Sequence, residues 1–286
     1  MNGRAWSRLA AFAWVACAIP ARLAAQSGVC HPGTASNEAK TLAILSVPVV
    51  FSPGAPPGEL RGITVGLEAA RVPGVDAATA TPSICRPGKG PENTGVLPAL
   101  ARPRIAVPLM HGLALEASWI PPIRVNGVKA NLIGLALTES VGHRDGLAAA
   151  LRAHATFGSV YAPVTCDRDA LADPISECFD GTLSDDRYSP NIVGLDLSVG
   201  WAMAGGRLHP YLGSGYNHLE PRFQVNFTNQ FGTTDRTRVA VNLDRVALFG
   251  GAAWQLTDRL AITGEVYAAA ADAATGRLVI RRTFGS

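Results

Sequence analysis

The chain has 286 residues, of which 25 are lysine or arginine, 22 are aspartate or glutamate and 48% are hydrophobic. Three of the arginines and no acidic residue lie in the first 25 positions, so the rest of the chain holds basic and acidic side chains in equal number. This balance predicts no nucleic-acid partner. After residue 25, no stretch is long and apolar enough for a membrane-spanning helix.

Residues 1–25 have the composition of a secretory signal peptide. Arg4 and Arg8 precede the apolar run Leu9–Ile19, and Pro20 and the small-residue segment Ala21–Ala25 follow it. A basic start, a short apolar core and small residues at the end are typical of an export signal, and cleavage is predicted after Ala25. The remaining chain is therefore expected to fold outside the cytoplasm.

Residues 26–59 are predicted to form an N-terminal plug or a periplasmic extension. The segment Leu42–Phe51 is apolar, but Pro48 interrupts it and disfavours a central strand. Three interpretations stay open for this segment: a plug inside a barrel, a periplasmic helix and an additional strand.

From residue 60 to 286 the sequence alternates between large apolar and small or polar side chains. In Val193–Met203 every odd position is large and apolar, and every even position is Gly, Asp, Ser or Ala. The same period of two recurs in Ile63–Ala69, Leu151–Gly158 and Leu260–Tyr267. This period is that of a β-strand with one apolar face, and each run is about long enough to cross a bilayer.

Ten strands are predicted, separated by turn signals and by longer polar loops. An even number of strands places both chain termini of the barrel in the periplasm, where the short turns are expected, and leaves the long loops outside the cell. The predicted strands cover residues 62–71, 104–109, 113–120, 128–140, 147–161, 192–203, 208–225, 238–256, 259–270 and 277–284.

The polar face of these strands decides between two all-β architectures. A soluble β-sandwich or lipocalin-like barrel shows the same period with its apolar face turned inward. Here the other face is rich in glycine, hydroxyl and charged side chains, which cannot make a dry core but can line a wet lumen. The predicted fold is an all-β, antiparallel, up-and-down transmembrane β-barrel of about ten strands.

Ten charged or polar side chains are candidates for lining the lumen. Opposed acids and bases could form a selectivity ring for small polar solutes, or a salt-bridged core that closes a narrow barrel. The candidates are Glu68, Glu116, Lys129, Asn131, Arg152, His154, Asp196, His209, Tyr211 and Glu265. About half of a further set of aromatic residues are expected at the membrane boundaries. This set is Trp119, Tyr161, Tyr188, Trp201, Tyr211, Tyr216 and Trp254.

Four cysteines remain after the signal peptide, and an even number in an exported chain favours disulfides. Cys166 and Cys178 lie close together in one polar segment, so they are predicted to pair, which leaves Cys30 for Cys85. A bridge from Cys30 to Cys85 would favour the plug interpretation, because Cys85 falls in a predicted extracellular loop. The cysteines do not have the C-x-x-C spacing of a metal site, and no histidine pair lies near them in the sequence, so a metal site is not predicted there.

Catalytic and ligand-binding signals are weak. His154 and Thr156 flank an outward residue on one strand, but no third member of a catalytic group accompanies them, so no enzyme activity is predicted. Seven carboxylates lie between Cys166 and Arg187, at residues Asp167, Asp169, Asp173, Glu177, Asp180, Asp185 and Asp186. Such a cluster could bind Ca²⁺ or contact lipopolysaccharide through divalent ions, but a solvated, disulfide-stapled loop is the simpler interpretation. No cofactor and no metal are predicted.

The hairpin Pro103–Leu137, with Trp119–Lys129 at its centre, and the C-terminal strand Leu278–Phe284 have the features of a known class. Through them, residues 60–286 resemble bacterial outer-membrane β-barrel proteins. Phe284 corresponds to the aromatic residue near the end of the terminal signal that the barrel-assembly machinery recognises, although Gly285 and Ser286 follow it here. The resemblance implies a place in the cell outer membrane among lipid and lipopolysaccharide.

The sequence leaves several functions open. The leading expectation is passive passage or binding of a small-molecule solute. The first alternative is a closed structural or surface-interaction barrel that displays disulfide-stapled loops. A periplasmic soluble β-sandwich is the second alternative, because a period of two does not say which face meets water.

Overall fold

A computed structural model describes residues 28–110, 112–144 and 146–285. Ten long strands form one closed antiparallel sheet, which confirms the predicted fold class and excludes the soluble sandwich. They are β1 Ile63–Arg71, β2 Ala99–Pro108, β3 Leu113–Ile120, β4 Val128–Arg144, β5 Leu147–Ala162, β6 Ile192–Trp201, β7 Leu208–Leu219, β8 Leu243–Thr257, β9 Leu260–Ala269 and β10 Ala273–Phe284. The predicted signal peptide, residues 1–25, lies outside the described residues.

Each strand pairs with its neighbours in the sequence, and β10 closes the barrel against β1. In that closing register Phe284 lies opposite Ile63, and Arg277 lies opposite Ala70. Strand β5 likewise pairs with both β4 and β6. An up-and-down closure of this kind gives each of the ten strands a paired neighbour on both sides, as a bilayer requires.

The three largest differences from the predicted strand boundaries are in β2, β7 and β8. Strand β2 begins at Ala99, five residues before the predicted start, and therefore includes Arg102. The predicted strand 208–225 is divided because Pro221 has no N–H to donate to a ladder, so β7 ends at Leu219. The predicted strand 238–256 is likewise interrupted, and β8 begins at Leu243, next to Asp244 and Arg245, where the alternation of apolar and polar residues changes phase.

The remaining elements are short. The helices are α1 Asn37–Ser46, α2 Ala77–Ala80 and α3 Arg168–Ala172, with 3-10 turns at Val47–Val49 and Ala204–Gly206. Short strands lie at Val29–Cys30, Arg124–Val125, Asp186–Ser189, Arg222–Gln224, Phe227–Thr228, Thr234–Asp235 and Arg238–Ala240. Helix α1 begins where the Ser36 hydroxyl accepts a hydrogen bond from the Ala39 amide at 3.1 Å, and Pro48 prevents it from continuing.

The connections divide the barrel into two different ends. The turn end holds the short connections 109–112, 145–146, 202–207 and 258–259, and the loop end holds the long loops 72–98, 163–191 and 220–242. In outer-membrane barrels, the short turns face the periplasm and the longer loops face outward.

The N-terminal segment runs through the barrel from the loop end to the turn end. Val29 and Cys30 pair in parallel with Arg238 and Val239 at the loop end. Helix α1 then enters the lumen, and the chain continues through it to the turn end, where β1 begins. We call residues 37–58 the plug. Of the three interpretations left open by the sequence, the structure contains the plug.

The outer wall of the barrel is apolar. Its exposed side chains include Val65, Leu67, Ile105, Leu115, Ile133, Leu135, Val193, Leu195, Leu197, Leu212, Val246, Leu248, Val266, Leu278 and Ile280. Trp119, Tyr216, Trp201 and Trp254 are also exposed on this wall, whereas Tyr188 and Tyr211 are buried inside and are not boundary residues. Outer-membrane barrels have an apolar outer wall with exposed aromatic residues and a polar interior, and this barrel has the same distribution.

Among the described residues, no helix is both long enough and apolar enough to cross a bilayer.

Candidate functional site

The interior of the barrel has three layers from the loop end to the turn end. In the first layer, apolar residues of α1 pack against the upper wall. Ala39, Leu42 and Ala43 from the helix are buried in one core with Leu132 of β4 and Ile192 of β6. We call it the dry layer because apolar side chains fill it, whereas the sequence predicted a lumen lined by water or closed by salt bridges.

In the second layer, four arginines of the wall donate hydrogen bonds to backbone carbonyl groups of the plug. Arg102 donates hydrogen bonds to the Val49 and Val50 carbonyls at 3.1 and 2.9 Å. Arg104 donates to those of Ser52 and Pro53 at 2.9 and 2.8 Å.

Arg152 and Arg277 complete this set, which we call the clasp. Arg152 donates to the Phe51 carbonyl, and Arg277 donates to the Val47 and Val50 carbonyls at 2.9 and 2.7 Å. Charged donors make stronger hydrogen bonds than neutral ones, so the clasp holds an irregular segment that has no sheet or helix partner of its own.

Phe51 is the centre of the clasp. Its ring is fully buried, and the guanidinium carbons of Arg102, Arg104 and Arg152 lie 5.2, 4.4 and 4.7 Å from the ring centroid. A cation over an aromatic face within about 6 Å is attracted by the ring quadrupole. The ring therefore separates three like charges while it fills the lumen.

Four carboxylates neutralise the clasp. Glu68 pairs with Arg102 and Arg104, both at 2.7 Å, and with Arg277 at 3.3 Å. Glu116 bridges Arg104 and Arg152 at 3.1 Å each.

Asp196 and Glu265 occupy the other two positions. Asp196 lies 3.1 Å from Arg152. Glu265 accepts hydrogen bonds from the Gly54 amide at 3.0 Å and from the Tyr211 hydroxyl at 2.8 Å. A buried charge is stable only when it is paired or hydrogen-bonded, and every arginine and carboxylate of this network has at least one such partner.

Gly54 shows how closely the plug approaches the wall. Its φ is +59°, and a Cβ at this position would lie 2.4 Å from Nη1 of Arg104. Glycine is required here both by the backbone conformation and by the space.

The third layer is a cavity of about 90 Å³ between residues 53–58 of the plug and the wall at the turn end. It is lined by polar side chains from several strands. They include Thr64, Arg104, Glu116, Thr138, Arg152, Ser198 and Arg281.

At the loop end, the three long loops and the strand Val29–Cys30 form one cross-linked unit, which we call the cap. Arg86 connects the loops, because it pairs with Glu92 in its own loop, with Glu177 in the second and with Asp235 in the third at 3.4 Å. Lys89 also pairs with Glu177.

Asp186 joins the second and third loops from below. Its carboxylate accepts hydrogen bonds from the amides of Val164, Thr165 and Asn226 at 3.1, 2.7 and 2.8 Å. Burial of this side chain raises its pKa, and the amide hydrogen bonds oppose that rise.

Both predicted disulfides are present in the cap. Cys30 is bonded to Cys85, and Cys166 is bonded to Cys178. The second bridge is buried against Val225 and Phe227 of the third loop. The first bridge therefore connects the N-terminal segment to the first loop, and the second closes a turn within the second loop that packs against the third.

Glu38 connects the plug to the cap. Its carboxylate accepts hydrogen bonds from the amides of Ser83, Ile84 and Cys85 at 3.0, 2.7 and 2.8 Å. Burial alone would raise the pKa of Glu38, but these hydrogen bonds outweigh it and hold the pKa below its usual value.

Two large apolar side chains project from the top of the cap. Ile175 is 93% exposed and Phe231 is 82% exposed. Phe231 lines a groove together with Lys89, Ser176, Glu177, Asn229 and Asp235. Ile175 directly precedes Ser176, so the two exposed apolar side chains belong to neighbouring parts of the cap.

The structure places seven of the ten predicted lumen residues inside the barrel. They are Glu68, Glu116, Arg152, His154, Asp196, Tyr211 and Glu265. His209 lies at the rim, where its Nε2 is 2.7 Å from the Gly206 carbonyl.

Lys129 and Asn131 were placed wrongly, because both side chains face outward and are exposed. In this part of β4 the lumen side is Val128, Ala130 and Leu132, which pack in the dry layer or beside it. Since the wall emerges from lipid near the loop end, polarity no longer distinguishes its two faces there.

Four residues of the lumen were not among those predicted from the sequence: Arg102, Arg104, Arg277 and Phe51. Arg277 and Arg281 alternate with the outward Leu278 and Ile280, so the period of two already contained a signal for them. Arg102 was missed because it fell in a predicted loop. Phe51 carried no signal, because nothing in the sequence says that three arginines converge on it.

In the part of the chain that it describes, the structure does not assemble a catalytic or metal-binding site from the weaker candidates, His154, Thr156 and the acidic loop. Thr156 donates to the Val49 carbonyl at 3.2 Å, and Nε2 of His154 lies 3.5 Å from Asp196, so both belong to the wall of the plugged lumen. Among the acidic loop residues, Asp167 caps α3 and Glu177 pairs with Arg86. Within the described residues, no group of three or more metal-ligating side chains is present.

Comparisons with known sequences find no relative, since no family model and no curated protein matches the chain. Solved structures with a similar fold are outer-membrane β-barrel proteins. The translocator domain of the autotransporter NalP from Neisseria meningitidis is 10% identical, with a TM-score of 0.32 over 86% of this chain and 95% of that one.

Two further structures are similar at the same level. Omp33 of Acinetobacter baumannii is 8% identical, with a TM-score of 0.31 over 78% of this chain and 98% of that one. The toluene transporter TodX of Pseudomonas putida is 12% identical, with a TM-score of 0.30 over 85% of this chain and 72% of that one. At these values the similarity concerns the barrel fold alone.

Proposed function

We propose that this protein is a closed, non-catalytic outer-membrane barrel that presents its cap at the cell surface to bind a partner. The observation that carries the proposal is that the N-terminal segment is held in two places. In the lumen its backbone is gripped by the clasp, and at the loop end it is bridged to the first loop by Cys30 and Cys85. A filled lumen and a rigid, cross-linked surface suit recognition better than diffusion.

The exposed side chains of the cap support a binding role. Ile175 and Phe231 expose most of their apolar surface to water beside a groove whose charged residues are held in ion pairs. A preorganised surface loses little conformational entropy on binding, and an aromatic residue beside a groove is a typical anchor.

Planar-bilayer recording tests the closed state of the lumen. The folded wild-type protein is expected to show no steady ionic conductance, because residues 47–57 occupy the lumen. A stable ohmic conductance in the wild-type protein would contradict the proposal.

Thiol labelling in intact cells tests which end is exposed. Phe231→Cys places a thiol on the cap, and Thr257→Cys places a matched thiol at the turn end, where the side chain is also exposed. A reagent that does not cross membranes should label the first variant in intact cells and the second only after the membrane is opened. The reverse pattern would contradict the proposed orientation.

Photo-crosslinking tests binding itself. A photoreactive residue at position 231 is expected to give an adduct of discrete mass on intact cells, and one at position 257 is not. Equal patterns at the two positions would remove the support for the groove as a binding surface.

Gated passage of a small solute is the second candidate, and one observation favours it. No covalent bond among the described residues joins the plug to the wall of the lumen, and the hydrogen bonds of the clasp go to carbonyl groups that water or a solute could replace. A variant that lacks residues 28–58 should then conduct ions in a bilayer. A deletion variant that folds and stays silent would contradict gated passage.

We further propose that the barrel-assembly machinery recognises β10 and that the outer wall contacts lipopolysaccharide. Phe284 ends β10 with its ring 46% exposed on the outer face, and Arg282 stacks over it at 5.1 Å. This position leaves the aromatic ring accessible to another protein during insertion.

A further inference from the structure

The cavity at the turn end contains more positive than negative charge. Inside the ten strands, the described residues of the middle and lower layers carry five arginines and four carboxylates. The arginines are Arg102, Arg104, Arg152, Arg277 and Arg281, and the carboxylates are Glu68, Glu116, Asp196 and Glu265. Residues 47–58 of the plug have no ionisable side chain, so they cannot offset the difference.

The surplus charge is at Arg281. Every arginine of the clasp has a carboxylate within 4.0 Å, whereas no described residue forms an ion pair or a hydrogen bond with the Arg281 guanidinium. Arg281 lies opposite Gly66 in β1 and Ala261 in β9, and neither neighbour offers a polar side chain. The guanidinium is partly buried and lines the cavity.

A second donor in the same cavity wall is also unused. Arg152 is only 2% exposed, and its Nη2 atom has no hydrogen-bond partner among the described residues. A buried donor that lacks a partner costs about 1–3 kcal/mol, and more when it is charged. The Nη2 atom has almost no accessible surface, so the unpaired guanidinium that the cavity itself exposes is that of Arg281.

The size and polarity of the space limit what can fill it. Its volume of about 90 Å³ is several times what one water needs, roughly 10–15 Å³ on the same measure, and is small for a sugar or a nucleotide. Thr64 and Ser198 add hydroxyl groups to the lining. Guanidinium groups bind planar or tetrahedral oxyanions through paired N–H donors, and a lumen of low dielectric strengthens that attraction.

We propose that this cavity binds one free, small oxyanion such as phosphate or sulfate, held by the Arg281 guanidinium. The anion neutralises the surplus arginine, and it reaches the site from the periplasmic side, because the plug and the dry layer close the route from the cap. This site lies at the opposite end of the lumen from the cap and does not depend on what the cap binds.

Isothermal titration calorimetry of the folded full chain in non-ionic detergent tests the proposal, with sodium phosphate as the probe at constant ionic strength. The wild-type protein is expected to bind one phosphate saturably. Arg281→Gln should weaken binding by about tenfold or more, because the charged donor is lost. Arg282→Gln removes the same charge from the next residue, which faces outward, and should bind within about twofold of wild type.

Arg281→Lys separates a loss of binding from a loss of folding. This variant keeps the charge and should bind phosphate more weakly than wild type but more tightly than Arg281→Gln. The wild-type protein and both Arg281 variants should migrate as folded, heat-modifiable barrels. No saturable binding by the wild-type protein, or equal affinity in Arg281→Gln and Arg282→Gln, would overturn the proposal.

A lipid headgroup is the other source of the same phosphate chemistry. Repeating the titration in nanodiscs of phosphatidylglycerol distinguishes the two sources. Unchanged phosphate affinity supports a free anion, since the cavity is enclosed by the wall. Abolished phosphate binding in these nanodiscs would overturn the assignment to a free anion.

Discussion

At the residue scale, Phe51 determines how the lumen is filled. It is the one aromatic side chain of residues 47–58, it is fully buried, and three arginines of the clasp surround its ring. The carbonyl groups beside it accept hydrogen bonds from the same arginines. A single side chain therefore sets both the packing of the plug and the spacing of the charges around it.

Phe51→Ala is expected to lower the free energy of unfolding by about 3–5 kcal/mol, because it removes a buried ring and leaves a cavity. Phe51→Leu keeps most of the volume, loses the cation–π contacts and should cost much less. Urea unfolding in detergent, followed by tryptophan fluorescence, measures both. The interpretation fails if the two variants are equally stable.

At the scale of elements, the contact between α1 and the first loop depends on one carboxylate. Glu38 lies in the first turn of α1 and accepts three amide hydrogen bonds from residues 83–85. A carboxylate whose pKa is lowered in the folded state stabilises that state above its unfolded pKa, and the contribution disappears as the pH falls through the folded value.

The protection factors of the Ile84 and Cys85 amides against hydrogen exchange should therefore be high at neutral pH and should fall below the ordinary glutamate range. In Glu38→Gln these protection factors should be low already at neutral pH, and their dependence on pH should disappear. Lys40→Gln is a matched control, because that side chain lies on the exposed side of the same helix. Equal, pH-dependent protection in Glu38→Gln and wild type would contradict this role.

The two disulfides should differ in their contribution. The Cys30–Cys85 bridge spans 55 residues and the Cys166–Cys178 bridge spans 12. Because the entropy of loop closure grows with loop length, replacing the first pair by serine should cost about 4 kcal/mol and replacing the second about 3 kcal/mol.

Loss of the first bridge should also release the N-terminal segment for proteolysis while the barrel stays folded. Limited proteolysis and heat-modifiable migration of the two double-serine variants measure these effects. A larger loss of stability from the shorter bridge would contradict the entropic account.

At the scale of the whole molecule, the path of the chain separates its two ends. The segment at Val29–Cys30 lies in the cap, while the last strand ends beside Ile63 at the turn end. A barrel with ten strands places the start of β1 and the end of β10 on the same side, so only the passage through the lumen carries the N-terminal segment to the other side.

A peptide tag inserted after Gln26 is therefore expected to bind antibody on intact cells, and a tag after Ser286 only on opened cells. The signal peptide must be removed in both proteins for the comparison to apply. A tag after Gln26 that is hidden in intact cells would contradict the path of the plug.

The strands illustrate what local sequence can predict. The period of two identified all ten strands of the barrel and the inward position of residues such as Glu68 and Glu265. The boundaries were less certain where a strand continued past the lipid, as in β2, because alternation weakens once neither face meets hydrocarbon. The cysteine number and spacing were enough for the disulfide pairing.

The sequence by itself determined the barrel, because a strand between lipid and lumen must repeat its polarity every second residue whatever lies elsewhere in the chain. Only the tertiary structure decided that the lumen is closed. The plug residues are 51 to 230 residues away in sequence from the arginines that hold them, as the pairs Pro53–Arg104 and Val47–Arg277 show. Such contacts depend on how distant strands are arranged around the barrel, and no local pattern encodes that arrangement.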